Sequence, residues 1–216
     1  MLVKTQREKV IATAQKARLM GLVVLTFGNF SLRDEKTGYI CITPSGMDYD
    51  DLTADDIVVI DEEGVVIEGK RKSSIETPLH CAIYRKRRDV IGICHTHSAY
   101  ATAWACCDEK FPVVVAELAA LLGGSLDTAP YRPMGSAELA ETVVATLGEK
   151  EAVLLANHGL LAVGRDIDKA LANAVTVEEG AKIACLARNL GRIRVIPEAE
   201  AVSLRQWAEA KYGQKP

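Results

Sequence analysis

Two hairpin patterns in the first seventy residues limit the folds open to this chain more than any other feature. In the first, an apolar segment at 21–33 meets another at 39–43 across the polar turn 34–38. In the second, the short apolar runs 57–60 and 65–67 flank an Asp-Glu-Glu-Gly turn. A tight turn between apolar runs joins antiparallel strands, whereas parallel strands need a longer crossover. The sheet is therefore predicted to be at least partly antiparallel.

Helical patterns alternate with these strands along the chain. The apolar run at 90–97, ending in His-Thr-His, is short enough for a buried strand, and strands are also predicted at 152–156 and 160–163,. The run at 113–122 fits either a strand or a helix. Caps, apolar stripes and terminal glycines predict helices at 3–20, 78–84, 99–105, 137–147, 167–190 and 197–211,. Without a long linker or a repeat, the pattern predicts one α/β domain over 1–216, with helices covering a mixed or antiparallel sheet.

Composition excludes several classes of partner. The chain has 26 basic and 29 acidic residues, so its net charge of −3 argues against nucleic-acid or anionic-membrane binding,. Its apolar runs fall short of the roughly 20 residues that span a bilayer. Residues 1–20 carry charges throughout, which does not fit a secretory signal,. Six cysteines occur without a C-x-x-C pair, so we expect reduced thiols and a cytoplasmic location,.

The histidines carry the main functional prediction. His95 and His97 lie at a strand end, where residues two apart point to the same side and can share one metal ion,. His158, in an Asn-His-Gly corner between two strands, can supply a third nitrogen, and Glu76 is a candidate fourth ligand or proton carrier. Three protein ligands with an open position are typical of a catalytic zinc-type centre. Hydrogen-bonded structural histidines are the alternative, which we favour for His80, one helical turn after Glu76.

Three small polar corners are candidates for an anion site. Gly28-Asn29 lies at a corner by the first strand, and 43–46 is a Thr-Pro-Ser-Gly turn. Ser73-Ser74 precedes a helix, whose free N–H groups and dipole favour an anion. Together these corners can hold a phosphate, while each by itself is equally compatible with an ordinary turn.

Five motifs in this order resemble the class II aldolase and adducin family over nearly the whole chain, and are most similar to its L-fuculose-1-phosphate aldolase branch. The motifs are Gly28-Asn29-Phe30-Ser31, Thr43-Pro44-Ser45-Gly46, Ser74-Ile75-Glu76, His95-Thr96-His97 and Asn157-His158-Gly159. The resemblance implies a three-layer α/β/α domain with a largely antiparallel central sheet. It also implies a fourfold homotetramer with active sites near the subunit interface.

The resemblance also assigns roles to residues. It implies a zinc ion, or another divalent metal such as iron, cobalt or manganese, held by His95, His97, His158 and Glu76. Glu76 would also act as the acid and base. Glu117 takes the place of a tyrosine that reaches into the neighbouring subunit's site, and Tyr212, in a tail at about 197–216, matches a second site tyrosine. The implied phosphate pocket comprises Gly28, Asn29, Ser45, Gly46 and Ser74.

The implied reaction is reversible cleavage of a ketose 1-phosphate to dihydroxyacetone phosphate and an aldehyde. L-fuculose 1-phosphate or a related 5-deoxypentulose 1-phosphate is the expected substrate. Two alternatives stay open within the family: L-ribulose-5-phosphate 4-epimerase, and methylthioribulose-1-phosphate dehydratase or aldolase. The glutamate at position 117 suits a dehydratase. An alternative of another class is an adducin-like interaction module, which lacks the metal-binding histidines.

Overall fold

An eight-stranded sheet forms the middle layer of the computed structural model, which describes residues 1–213. Its spatial order is β4-β3-β2-β1-β5-β8-β7-β6, and every neighbouring pair is antiparallel except β6 with β7. The strands are β1 (Gly28–Arg33), β2 (Ile40–Ile42), β3 (Val58–Ile60), β4 (Val66–Glu68), β5 (Gly92–Thr96), β6 (Thr128–Ala129), β7 (Ala152–Leu155) and β8 (Gly159–Gly164). The predicted hairpins and the largely antiparallel sheet are confirmed.

Helices cover both faces of this sheet. One face packs against α2 and α5, and the other against α1, α3, α4 and α6, with α7 lying on α4. The helices are α1 (Lys4–Leu19), α2 (Thr77–Lys86), α3 (Ala99–Ala105), α4 (Ala116–Leu122), α5 (Ala137–Leu147), α6 (Ile167–Leu190) and α7 (Glu198–Lys211). Because both faces are covered, β5 and β8 are buried at every position, which is why they read as continuous apolar runs,. The fold is the three-layer α/β/α arrangement that the resemblance implies.

Several local predictions are corrected. The predicted strand before Gly28 is wrong, because residues 21–27 form turns with one isolated bridge between Val24 and Phe27, and β1 begins at Gly28. Glu76, and not Thr77, occupies the N-cap position of α2. The ambiguous run at 113–122 becomes a helix from Ala116 onward. The two-residue β6 was missed, since so short a strand leaves no periodic signal.

The start of α3 is capped from outside its own sequence. Ser98 occupies the predicted N-cap position, but its side chain makes no capping hydrogen bond. The carboxylate of Glu178 on α6 instead accepts hydrogen bonds from the backbone N–H groups of Tyr100 and Ala101, at 3.0 and 2.8 Å. A long-range contact thus replaces the local cap that the sequence predicted, and it ties α3 to α6.

Strand register decides which side chains can meet. Asn29 on β1 lies directly opposite His95 on β5, and His95 lies opposite Leu161 on β8. The start of β1, the end of β5 and the start of β8 therefore share one end of the sheet.

The predicted C-terminal helix is confirmed as α7. Residues 214–216, the end of the predicted site-forming tail, lie outside the described residues. Within residues 1–213, no helix is long and apolar enough to cross a membrane.

Candidate metal centre

Three histidines converge at the shared end of β1, β5 and β8. His95 is the fourth residue of β5, His97 follows the end of that strand, and His158 lies in the turn between β7 and β8. The turn is tight, because Asn157 has a positive φ of 55°. A Cβ atom on Gly159 would lie 2.5 Å from the carbonyl oxygen of Thr96, so glycine is needed for this close approach,. The corner brings His158 against the end of β5.

The nitrogen atoms of these rings are spaced like ligands of one ion. The Nε2 atom of His95 lies 3.0 Å from Nε2 of His97 and 3.3 Å from Nε2 of His158. Glu76 completes the set, with Oε2 3.0 Å from His95 Nε2 and Oε1 3.5 Å from His158 Nε2. Tetrahedral ligands 2.0–2.1 Å from a zinc ion would be about 3.3 Å apart. The four predicted metal ligands are thus brought together at a suitable spacing.

Hydrogen bonding prepares two of these groups for a cation. His95 Nδ1 donates to the carbonyl oxygen of Leu160 at 3.0 Å, which leaves the lone pair on Nε2,. Glu76 Oε1 is buried and has no hydrogen-bond partner within the described residues. An unpartnered carboxylate oxygen beside imidazole lone pairs is costly unless a cation joins them. The residues therefore fit a divalent metal ion.

The protonation states suit the same role. Burial, with the nearby charge of His95, lowers the pKa of His97 to about 3 and that of His158 to about 4. Burial by itself would raise the pKa of Glu76, but the charge and hydrogen bond of His95 and the hydrogen bond of Asn29 hold it well below its ordinary range. Burial opposes a charge on His95, but the Glu76 carboxylate outweighs it and raises the pKa of His95. At neutral pH the site therefore offers two neutral imidazoles, His97 and His158, with an ionised carboxylate, and a metal ion would displace the proton shared between Glu76 and His95.

Glu76 is held at the N-terminus of α2 by its neighbours. Asn29 Nδ2 donates to Glu76 Oε2 at 2.9 Å, and Asn29 Oδ1 lies 2.6 Å from His80 Nε2. His80 is fully buried and hydrogen-bonded, as predicted for a structural histidine. Two residues without a predicted role, Ser31 and Tyr84, continue this hydrogen-bonded series beyond His80. The four-residue spacing of Glu76, His80 and Tyr84 was the available sequence signal.

The predicted phosphate corners lie next to this centre. The N–H of Ser74 donates to the carbonyl of Thr43 at 3.1 Å, and the N–H of Ser45 donates to that of Lys72 at 3.0 Å, which joins two of the corners. Ser45 and Gly46 are exposed, whereas Ser74 is buried and its hydroxyl accepts from the N–H of Glu76.

The third corner is held by close packing against β5. A Cβ atom on Gly28 would lie 2.8 Å from the carbonyl oxygen of His95, so the backbone there admits only glycine without adjustment. Gly28 and Asn29 consequently lie directly beside the histidines.

Glu117 and Tyr212 do not join the histidines within one chain. Both line a cavity of about 980 Å³ that also contacts Val163, Gly164 and Arg165 at the end of β8. The opposite end of that strand adjoins His158, and six residues of strand span about 20 Å,. These two predicted site residues therefore share a second, separate pocket.

Comparison with known proteins places these observations in a family. The family model described as class II aldolase and adducin N-terminal domain matches residues 8–185. A 5-deoxy-D-ribulose 1-phosphate aldolase of Bacillus thuringiensis serovar kurstaki is 36% identical over 215 residues, covering 100% of both chains. An L-ribulose-5-phosphate 4-epimerase of Salmonella paratyphi B is 35% identical over 181 residues, or 79% of each chain. A solved L-fuculose 1-phosphate aldolase superimposes with a TM-score of 0.93 at 35% identity, covering 97% of this chain and 98% of the other.

Proposed function

This chain belongs to the class II aldolase and adducin family, and we propose that it reversibly cleaves a ketose 1-phosphate to dihydroxyacetone phosphate and an aldehyde. The relatives named as 5-deoxy-D-ribulose 1-phosphate aldolase and L-fuculose 1-phosphate aldolase support this choice of substrate class. The single observation that carries the proposal is the convergence of three imidazoles and the Glu76 carboxylate on one point.

The proposed cofactor is Zn²⁺, for which the nitrogen-rich ligand set and its spacing are well suited. When bound by His95, His97, His158 and Glu76, a divalent cation supplies Lewis-acid stabilisation of negative charge on the substrate's carbonyl and neighbouring oxygen atoms. Glu76 has a second role, as the proton carrier. In the synthesis direction the ionised Glu76 carboxylate removes a proton from C3 of dihydroxyacetone phosphate before the C3–C4 bond forms. In cleavage Glu76 would first take up a proton from solvent as the substrate binds, and would deliver it to C3 once the C3–C4 bond has broken and its electron pair remains on the dihydroxyacetone phosphate fragment.

The substrate phosphate would be bound by the three small polar corners. The side chains at these corners are small, so backbone N–H groups and hydroxyls can approach the phosphate oxygens closely. The proposed contacts come from Gly28, Asn29, Ser45, Gly46 and Ser74. Holding the remote phosphate orients the C3–C4 bond, so that binding energy is converted into correct placement.

Ser45→Ala is expected to raise KM for the phosphorylated substrate about tenfold or more, since a hydrogen bond to a charged group contributes roughly 1.5–3 kcal/mol. The value of kcat should change little, because Ser45 is exposed and its backbone contact to Lys72 is retained. Steady-state kinetics would measure both constants, with Ser203→Ala on the surface of α7 as the matched serine control. An unchanged KM would remove Ser45 from the phosphate pocket.

Glu117 and Tyr212 are proposed to act on a neighbouring subunit's substrate in a fourfold homotetramer. One of them would take the proton from the C4 hydroxyl as it becomes the aldehyde. This proposal is supported by the pocket that Glu117 and Tyr212 share, which lies away from the histidines of the same chain. The two residues can therefore reach a metal centre only if that centre belongs to an adjacent copy of the chain.

Mixed tetramers test this arrangement directly. His95→Ala and the double variant Glu117→Gln with Tyr212→Phe should each be inactive, while coexpressed mixtures should regain about one quarter of the activity of the unmodified protein. That fraction follows from a closed ring in which each site takes metal ligands from one subunit and the other groups from its neighbour. Mixtures as inactive as either variant expressed alone would contradict interfacial sites.

We further place this activity in the cytoplasm, where thiols stay reduced. Cys41, Cys81 and Cys94 are buried in the core as free thiols. The pKa of Cys81 is raised to about 11 by burial, so that thiol stays protonated and unreactive at neutral pH,.

A panel of sugar phosphates tests the proposed reaction. Purified protein would be incubated with the 1-phosphates of L-fuculose, L-ribulose, 5-deoxyribulose and methylthioribulose, and with L-ribulose 5-phosphate. Dihydroxyacetone phosphate release would be coupled to a reductase, and products would be identified directly. We expect cleavage of a 5-deoxypentulose or 6-deoxyhexulose 1-phosphate. Epimerised or dehydrated product without dihydroxyacetone phosphate would instead support one of the two alternative family activities.

A further inference from the structure

We propose that His80 is a positioning residue for the reaction, and that Ser31 and Tyr84 fix its neutral Nε2–H form. His80 would hold the side-chain amide of Asn29, which in turn holds the Glu76 carboxylate. This inference rests on the proposed function for its catalytic consequence, but not for its structural content. It concerns five side chains that form one continuous buried series from α2 and β1.

The series forms because two residues along a strand and four residues along a helix cover nearly the same distance. Asn29 and Ser31 are two residues apart on β1, a rise of about 6.6 Å. Glu76, His80 and Tyr84 are four residues apart along α2, a rise of about 6.0 Å per step. Side chains from the two elements can therefore alternate along their contact line. The hydrogen bonds run in that alternating order, from Glu76 to Asn29, His80, Ser31 and Tyr84.

The carboxylate sets the direction of the first two hydrogen bonds in the series. Glu76 Oε2 can only accept, so the group 2.9 Å away is Nδ2 of Asn29 and the other end of that amide is its oxygen,. The Oδ1 atom of Asn29 also accepts, so the Nε2 atom of His80, 2.6 Å away, must carry hydrogen. The two ring nitrogens of His80 face an amide oxygen and a hydroxyl instead of a carboxylate, and the ring is fully buried, so the neutral form is favoured and Nδ1 is an acceptor,.

The hydroxyl groups of Ser31 and Tyr84 donate in the same direction, toward Glu76. The Ser31 hydroxyl lies 2.6 Å from His80 Nδ1 and donates to it. The Tyr84 phenol lies 2.8 Å from Ser31 Oγ and 3.2 Å from the carbonyl oxygen of Ile91, and with the Ser31 proton directed to His80 its own proton goes to Ser31 Oγ, the closer acceptor. Each hydroxyl contributes one proton and each acceptor receives one. Because His80 and Tyr84 are fully buried, water does not compete for these contacts,.

The far end of the series is anchored to the fold. The guanidinium of Arg33, the last residue of β1, lies 5.0 Å from the ring centroid of Tyr84. It also donates to the carbonyl oxygens of Tyr84 at 3.0 Å and Val90 at 2.5 Å. The series therefore runs from this anchor to Oε2 of Glu76, while Oε1 has no hydrogen bond from residues 1–213 and stays available to a cation or a proton.

The form of the His80 ring in the unaltered protein is the first test. The chain has four histidines, so protein labelled with ¹⁵N-histidine and loaded with Zn²⁺ gives few ring signals, and His80→Gln identifies the signal of His80. We expect a neutral ring with hydrogen on Nε2 and a bare Nδ1. Hydrogen on Nδ1, or on both nitrogens at neutral pH, would overturn the proposal.

Variants then test positioning separately from stability. His80→Leu removes the donor to Asn29, while His80→Gln has an amide N–H that can restore it. Cys81→Ala, at the next position of α2 and likewise buried, is the matched stability control. Two quantities would be measured: retention of Zn²⁺ against a chromogenic chelator, and kcat on the substrate that the panel identifies.

We expect His80→Leu to lower both zinc retention and kcat about tenfold or more, with a smaller change in KM. His80→Gln should recover most of both losses, and Cys81→Ala should lower the melting temperature alone. A leucine variant that retains zinc as the unaltered protein does would overturn the proposal. Unaltered protein that binds zinc but cleaves no ketose 1-phosphate would contradict the proposed function, while the ring form and zinc retention would still decide the role of His80.

Discussion

Replacement of His95 by alanine is expected to remove the bound cation and to abolish cleavage of every ketose 1-phosphate. His95 is the central ligand, since its Nε2 atom lies within 3.0–3.3 Å of His97, His158 and Glu76. Without the His95 imidazole, the remaining three ligands lose the nitrogen that lies between them. Cation affinity should therefore fall by more than the roughly 10- to 100-fold that the loss of an outer hydrogen-bonding partner costs.

His95→Asn is the matched variant for this experiment. Its side-chain amide can still donate to the carbonyl of Leu160, as His95 Nδ1 does, but it offers no nitrogen at the position of Nε2. Metal content by elemental analysis and dihydroxyacetone phosphate release should be lost in both variants, with circular dichroism like that of the unaltered protein. Full turnover by a metal-free His95 variant would contradict the proposed mechanism. Purified unaltered protein without metal would favour the adducin-like interaction module.

Glu76→Gln should lower kcat by about 100- to 10,000-fold, the usual contribution of a positioned acid or base. Glutamine has the same shape and can still accept a hydrogen bond from Asn29, but it cannot carry the proton to and from C3. Neighbouring groups keep the pKa of Glu76 low, so the carboxylate is the form present at neutral pH. The isosteric change therefore removes a charged base from a site that the fold otherwise retains.

Two comparisons make the Glu76 result specific. Activity would be expressed per bound cation, because Glu76 is also a proposed ligand and its loss weakens metal binding. Glu63→Gln makes the same chemical change on an exposed turn between β3 and β4 and should leave kcat unaltered. Undiminished activity per cation in Glu76→Gln would exclude Glu76 as the proton carrier.

The histidine pair was predictable because its geometry is local. Strand alternation places His95 and His97 on one side, and this is confirmed by the distance of 3.0 Å between their Nε2 atoms,. The hairpins and most helices were predictable for the same reason, since turns, caps and apolar stripes act over a few residues. The start of β1 was mispredicted because its boundary depends on pairing with β5, which is distant in sequence.

Contacts between segments that are distant in sequence could be identified only from the structure. Asn29 and Glu76 meet because β1 is paired with β5 and covered by α2, and neither arrangement leaves a signal near either residue. The position of Ser31 opposite His80 depends on the same packing. Residue spacing and the motif resemblance both indicated the ligand set, but neither identified these partners. Nor could the sequence place Glu117 and Tyr212 in a pocket of their own.

Metal-dependent cleavage is tested by measuring how the activity of purified, unaltered protein depends on a divalent cation. Dihydroxyacetone phosphate released from 5-deoxyribulose 1-phosphate and from L-fuculose 1-phosphate would be followed before chelation, after complete removal of metal, and after one equivalent of Zn²⁺ per subunit is returned. We predict release of dihydroxyacetone phosphate and aldehyde in equal amounts, loss of that release without metal, and recovery with Zn²⁺ or another divalent ion. Unchanged cleavage by the metal-free protein would contradict a metal-dependent reaction, and no dihydroxyacetone phosphate from either sugar in the metal-loaded protein would contradict aldol cleavage.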